Sequence, residues 1–193
     1  GISPSSSWTG KEISGSASNL LLLRRRCFRV SRNFFKQNSI MADKFMQMAI
    51  DEAMEGITRQ HGGPFGTVIV KNGEVVGKGH NMVLRNNDPT CHGEVSAIRN
   101  ACSNLGTYDL SGCELYTTGE PCQMCLCACL WANIDKVYYG CTIADNGRIG
   151  FRDDKFDTMF SGREKLGDFL TEVDRDKCLE LFDKYSSMQH KIY

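Results

Sequence analysis

Long apolar runs are missing from this chain. The longest candidate, Leu20 to Leu23, falls far short of the roughly 20 residues a membrane-spanning helix needs, so neither a transmembrane segment nor a membrane partner is expected. Acidic residues are nearly missing from the first forty positions, where seven basic residues, including the run Arg24-Arg25-Arg26, face only Glu12 for a balance of +6. The whole chain has a formal net charge of zero, so the part from Met41 onward holds 16 basic against 22 acidic residues, or −6. An acidic body lacks the surplus of lysine and arginine that neutralises phosphates, which argues against a nucleic-acid partner. A phosphate loop is missing too. Gly62-Gly63-Pro64-Phe65-Gly66 is glycine-rich but has neither the lysine nor the spacing of one, and it reads as a tight turn that sets Phe65 at the mouth of a site.

Cysteine, by contrast, is plentiful, with ten in 193 residues. A chain of this length with 41% hydrophobic residues builds one core without needing disulfide staples. The thiols therefore indicate a reducing compartment, and the expected location is cytoplasmic. Residues 1–40 are serine-rich, lack an apolar period and end in the basic block. Two readings stand for them: a mitochondrial transit peptide, or an extension upstream of a start at Met41-Ala42-Asp43. On either reading the fold is expected within 41–193.

Four residues carry the chemistry. His92 and Glu94 stand two apart, and Cys122 and Cys125 follow Pro121. One imidazole and two thiolates suit zinc, and three protein ligands leave a fourth tetrahedral corner for water, as catalytic sites do. Glu94, not needed as a ligand, suits a group that moves a proton from that water to a leaving amine. A lone C-x-x-C would be ambiguous between redox and structural roles. The spacing H-x-E followed by P-C-x-x-C matches zinc-dependent nucleobase deaminases.

Periodicity places these residues. Phe45, Met48, Ala49, Ala53 and Ile57 recur at helical steps from Asp43 to about Arg59. Asn72-Gly73 between Thr67–Val70 and Glu74–Lys78 predicts a hairpin. Asn81, at a strand end, either caps a turn or presents its amide to a substrate. Thr90 to about Cys102 predicts a helix with His92 and Glu94 in its first turn, where the helix dipole favours an ionised Glu94. Glu114–Thr118 and Lys136–Cys141 read as strands, with a helix from about Cys122 to Asn133 between them. Cys127 and Cys129 lie on that helix but rotate away from the metal pair, and with Cys91, Cys102, Cys113, Cys141 and Cys178 they read as buried small hydrophobes. Gly150–Asp154 reads as a loop and 168–187 as a loose helix. This order predicts an α/β layered sheet, partly parallel, with its site at strand carboxyl ends.

From Met41 to Tyr193 the sequence resembles the bacterial-type guanine deaminases of the cytidine-deaminase fold. The resemblance spans Gly62–Gly66, Asn81, Asn87-Asp88-Pro89-Thr90, the zinc signature, Trp131-Ala132, Gly150-Phe151 and the terminal Tyr193. It implies a three-layer α/β/α fold with a five-stranded mixed sheet, and a homodimer that exchanges its C-terminal tail from about residue 160. It also implies zinc on His92, Cys122 and Cys125, with Glu94 shuttling protons during hydrolysis of guanine to xanthine and ammonia. Asn81, Phe65 and Trp131 would serve the purine pocket, and Tyr193 would close over it. An aspartate after Gly150-Phe151 would contact the base. Counting from the glycine gives Asp153, with Asp154 the alternative because Arg152 interrupts the usual Gly-Phe-Asp-Asp. Glycine replaces the usual alanine at 93. Rival readings are the same chemistry on guanosine, cytosine or transfer-RNA adenosine, and a zinc-stabilised binding protein with Cys91 or Cys127 as a fourth ligand.

Overall fold

A computed structural model describes residues 44–161 and 172–189. The chain begins there with helix α1 (44–58), then a hairpin of β1 (Gly66–Lys71) and β2 (Glu74–His80). Asn72 and Gly73 both have positive φ, 52° and 82°, as the tight primed turn requires. A single helical turn, α2 (Val83–Asn86), leads to α3 (Gly93–Leu105). Then come β3 (Cys113–Gly119), α4 (Gln123–Trp131) and β4 (Lys136–Cys141). Three helices close the described chain: α5 (Ile143–Arg148), α6 (Asp153–Phe160) and α7 (Arg175–Ser186).

The strands lie in the order β2-β1-β3-β4. β1 is antiparallel to both β2 and β3, whereas β3 and β4 run parallel, joined through α4. Such a crossover needs a helix, because parallel strands cannot be joined by a tight turn. The expected mixed α/β sheet is therefore present, but with four strands among the described residues rather than five. After β4 the described chain turns helical.

Alternation along the strands sorts the core into two halves. Val68, Val70 and Tyr116 face Phe45 and Ala49 of α1, with Tyr138 packed alongside. Ile69, Leu115 and Val137 face the other way, toward Ala97 and Ala101 of α3 and Cys129 of α4. A two-residue period thus feeds two opposed layers of helices, the three-layer arrangement expected. Among the described residues no helix is long and apolar enough to cross a membrane. Of the expected helix over 168–187, residues 168–171 lie outside the described residues, 172–174 are not helical, and Arg175–Ser186 form α7, which buries none of its residues.

Candidate metal centre and substrate cavity

Two helix starts meet at the carboxyl end of the sheet. His92 is the N-cap of α3 (φ −70°, ψ 162°) and Cys122 the N-cap of α4 (φ −63°, ψ 168°), both extended and neither using its side chain as a cap. His92 therefore precedes the first turn of α3 rather than lying in it as expected, and its side chain and that of Cys122 are free to point at each other. Cys125 follows in the first turn of α4 and is fully buried. His92 Nδ1 lies 3.6 Å from Cys122 Sγ and 3.5 Å from Cys125 Sγ. The three ligand atoms all fall within 4.8 Å of one another. Zinc bonds of about 2.3 Å to sulfur and about 2.0 Å to nitrogen, at a tetrahedral angle, put the two atoms about 3.5 Å apart. The donor set and its spacing therefore fit a zinc ion.

The electrostatics fit as well. Cys122 is pulled down to about 4, first by a hydrogen bond from the Cys125 thiol and further by His92 and the Cys125 amide. The same hydrogen bond, with burial, holds the proton on Cys125. His92 is raised, chiefly by its bond to Cys122. Together they form a cluster with an ionised thiolate ready for a cation, as helix N-termini favour.

Glu94 is 4% exposed, in the first turn of α3. The sequence predicted that the helix dipole would keep it ionised. Burial outweighs the dipole here: desolvation is the largest influence on Glu94 and raises its pKa, against its own backbone amide and the Cys125 thiol. A carboxyl whose pKa is raised by burial holds a proton more readily than an exposed one, as a group that carries protons must. Gly93, between His92 and Glu94, has its α-carbon pressed against β1. A Cβ there would come within 2.9 Å of the Phe65 backbone oxygen, so an alanine at 93 would fit only if that neighbouring backbone gave way.

A cavity of about 900 Å³ opens over the cluster, lined by His92 and Cys122 together with Asn81, Asp153 and Phe151. Asn81 is buried and lines this cavity, its Oδ1 accepting from the Val83 amide at 3.2 Å. The turn-capping reading from the sequence is observed, and the same side chain lines the cavity. Asp153 lines the cavity as the first residue of α6, where a loop was expected, whereas Asp154 is exposed and its Oδ1 accepts from the Lys155 amide. Phe65 stands behind the wall, edge-on to Phe151 with ring centres 4.7 Å apart. Trp131 does not line the cavity; it is 69% exposed at the end of α4. Tyr193 lies outside the described residues.

The remaining cysteines divide. Cys91, Cys113 and Cys129 are buried, as read from the sequence, but Cys127, Cys141 and Cys178 are exposed. Cys127 joins Gln123 and Met124 in lining the cavity, because the cavity wraps over the flank of α4 that Cys125 and Cys129 leave uncovered. Arg152, which in the sequence interrupts the usual Gly-Phe-Asp-Asp, lines the cavity with its guanidinium over the Phe156 ring. Sequence reasoning missed Asn146, buried on α5, which no motif flags.

Residues 40–141 match the family described as the cytidine and deoxycytidylate deaminase zinc-binding region. The chain belongs to this deaminase family. Guanine deaminase from Bacillus subtilis is 48% identical over 114 residues, 59% of this chain and 72% of that protein. The X-ray structure of the Bacillus subtilis guanine deaminase superposes with a TM-score of 0.73 at 38% identity, covering 78% of this deaminase and 97% of that chain. A tRNA-specific adenosine deaminase from Aquifex aeolicus is 41% identical over 105 residues, 54% of this chain and 69% of its own.

Proposed function

We propose that this deaminase hydrolyses guanine to xanthine and ammonia in a zinc-dependent reaction. The observation that carries the reading is the His92–Cys122–Cys125 cluster, with Glu94 hydrogen-bonded to Cys125 and with His92 and Cys122 lining a cavity that Asn81 and Asp153 also line. The higher identity to guanine deaminase, 48% against 41% for the tRNA-directed enzyme, and the superposition on its solved structure at a TM-score of 0.73 support guanine as the base. The acidic character of residues 41–193 weighs against a transfer RNA.

Zinc on the three ligands would supply Lewis acidity and lower the pKa of a water held at the open fourth position. The chain's own residues do the rest. Asn81 and Asp153 orient the base in the cavity that His92 and Cys122 also line. Glu94 takes the proton of the attacking water, delivers it to the ring nitrogen, and transfers a second to the amine as the carbon–nitrogen bond breaks. One water is consumed and one ammonia released. Burial of Glu94 keeps bulk water from competing for these protons.

The test is ammonia release by the zinc-loaded protein against guanine, guanosine, adenine, cytosine and cytidine. Turnover of guanine above the other four is expected. Turnover confined to another base would keep the chemistry and replace the substrate, and silence on all five with zinc bound would favour a non-catalytic zinc protein.

We also read the leader as separate from the catalytic domain of residues 41–193, the location as cytoplasmic, and the assembly as a homodimer that exchanges its tail. Support for the assembly comes from α7, where Leu181 and Phe182 are 62% and 63% exposed on their own chain. Burying side chains of that kind stabilises by about 1.5–3 kcal/mol each. Solution mass is expected at twice the chain's 21.6 kDa by light scattering, and a monomer would remove this part of the reading.

A further inference from the structure

We infer that Asn146 is a positioning residue for base recognition, acting through Asp153; the inference rests on the reading of Asp153 as a base contact. Asn146 sits on α5, outside the zinc signature, and is only 3% exposed. Its Nδ2 donates to the Asp153 carboxylate Oδ2 at 3.2 Å and to the Glu120 backbone oxygen at 3.4 Å. Both hydrogens of the amide are thereby used. Reversing the amide would place its Oδ1 against two acceptors, so the orientation is settled by the partners themselves.

The two acceptors belong to different parts of the site. Glu120 immediately precedes Pro121 and Cys122, and its own carboxylate accepts from the Ile143 amide at the start of α5. Asp153 opens α6 at the cavity wall. The Asn146 backbone oxygen accepts from the Ile149 and Phe151 amides, both at 3.2 Å, which folds the chain back so that Phe151 and Asp153 reach the cavity. One side chain thus ties the strand end that delivers a zinc-binding thiolate to the carboxylate that faces the base.

A carboxylate on the first residue of a helix has several rotamers open to it, and a donor on one oxygen selects among them. Recognition then costs less ordering when substrate binds. Asn146 itself touches no substrate in this scheme. Its contribution is the direction in which Asp153 points.

The test is a double-mutant cycle on kcat/KM for guanine, using N146A, D153A and the double variant, with zinc content and Tm measured for each. N146A is expected to lower kcat/KM on the order of ten- to a hundred-fold, the range for losing a hydrogen bond to a charged group, with more of the loss in KM than in kcat. In the D153A background the same change should cost less than about twofold, because the group it positions is gone. N146D, which keeps the size but replaces both N–H donors with acceptors, should lose at least as much as N146A. Losses that multiply across the cycle, a loss of zinc in N146A, or an N146A enzyme as active as wild type would each overturn the proposal. If N146A does not fold, the same cycle with N146S decides. A D153A enzyme with full activity would instead remove Asp153 from the reading on which this rests, and a wild type silent toward guanine would remove both.

Discussion

Replacing Glu94 with glutamine is expected to lower turnover by about 10²–10⁴-fold, the usual range for a lost general acid–base group, while zinc content stays at the wild-type level. Glutamine keeps the size of the side chain and its place at the start of α3, so the three ligands of the cluster are undisturbed. What it cannot do is accept and return a proton. Metal analysis of the purified variant alongside ammonia release separates the two effects. A variant that retains zinc and turns over comparably to wild type would show that some other group moves the protons. A variant that loses zinc would show Glu94 acting as a ligand, contrary to the geometry. The raised pKa of buried Glu94 adds a stability consequence with a definite sign. A carboxyl whose folded-state pKa lies above its unfolded value binds protons more tightly when folded, so it favours folding at low pH and opposes it as pH rises through the folded pKa. The glutamine variant, which cannot ionise, should escape that opposition. In the presence of chelator its Tm should hold up better than wild type toward the alkaline side.

Replacing Cys125 with alanine is expected to weaken zinc binding by more than the 10- to 100-fold typical of losing an outer-shell partner, and to abolish turnover with it. Cys125 is fully buried and donates to the Cys122 sulfur, so the change removes one ligand and the principal stabiliser of the other thiolate. Cys127→Ala is the matched control. It removes a thiol from the cavity wall on the same helix and should leave zinc stoichiometry at one per chain. Competition with a chromophoric chelator measures both. If Cys127→Ala loses metal as Cys125→Ala does, the site has four protein ligands and the binding-protein reading gains ground.

The spacing of His92, Glu94, Cys122 and Cys125 made the cluster legible without coordinates, because ligand chemistry and helix starts constrain residues that are close in sequence. The hairpin was legible for the same reason: Asn72-Gly73 is a local instruction. What could not be read depends on which surfaces face one another. Cys127 obeys the same helical rotation that was used to set it aside, yet it meets the cavity because the cavity extends across two flanks of α4. The sign of the shift at Glu94 depends on how much protein closes over it, which the dipole argument did not include. Trp131 follows the motif in sequence but lies beyond the cavity on an exposed helix end. Asn146 has no spacing to announce it, since its two partners are 26 and 7 residues away on segments that only the folded chain brings together.

The division of labour between sheet and connections has a further consequence. His92, Cys122 and Cys125 are carried on helix starts braced by paired strands, whereas the walls come from Gly62-Gly63, the single-turn α2 and the segment through Phe151 and Asp153. A scaffold built this way can drift in its walls without disturbing its reactive floor. New substrate preferences are then reachable by exchanging short irregular segments, one at a time. Exchanging the 149–160 segment of this chain, which carries much of the cavity wall, would be a practical route to an enzyme of altered selectivity.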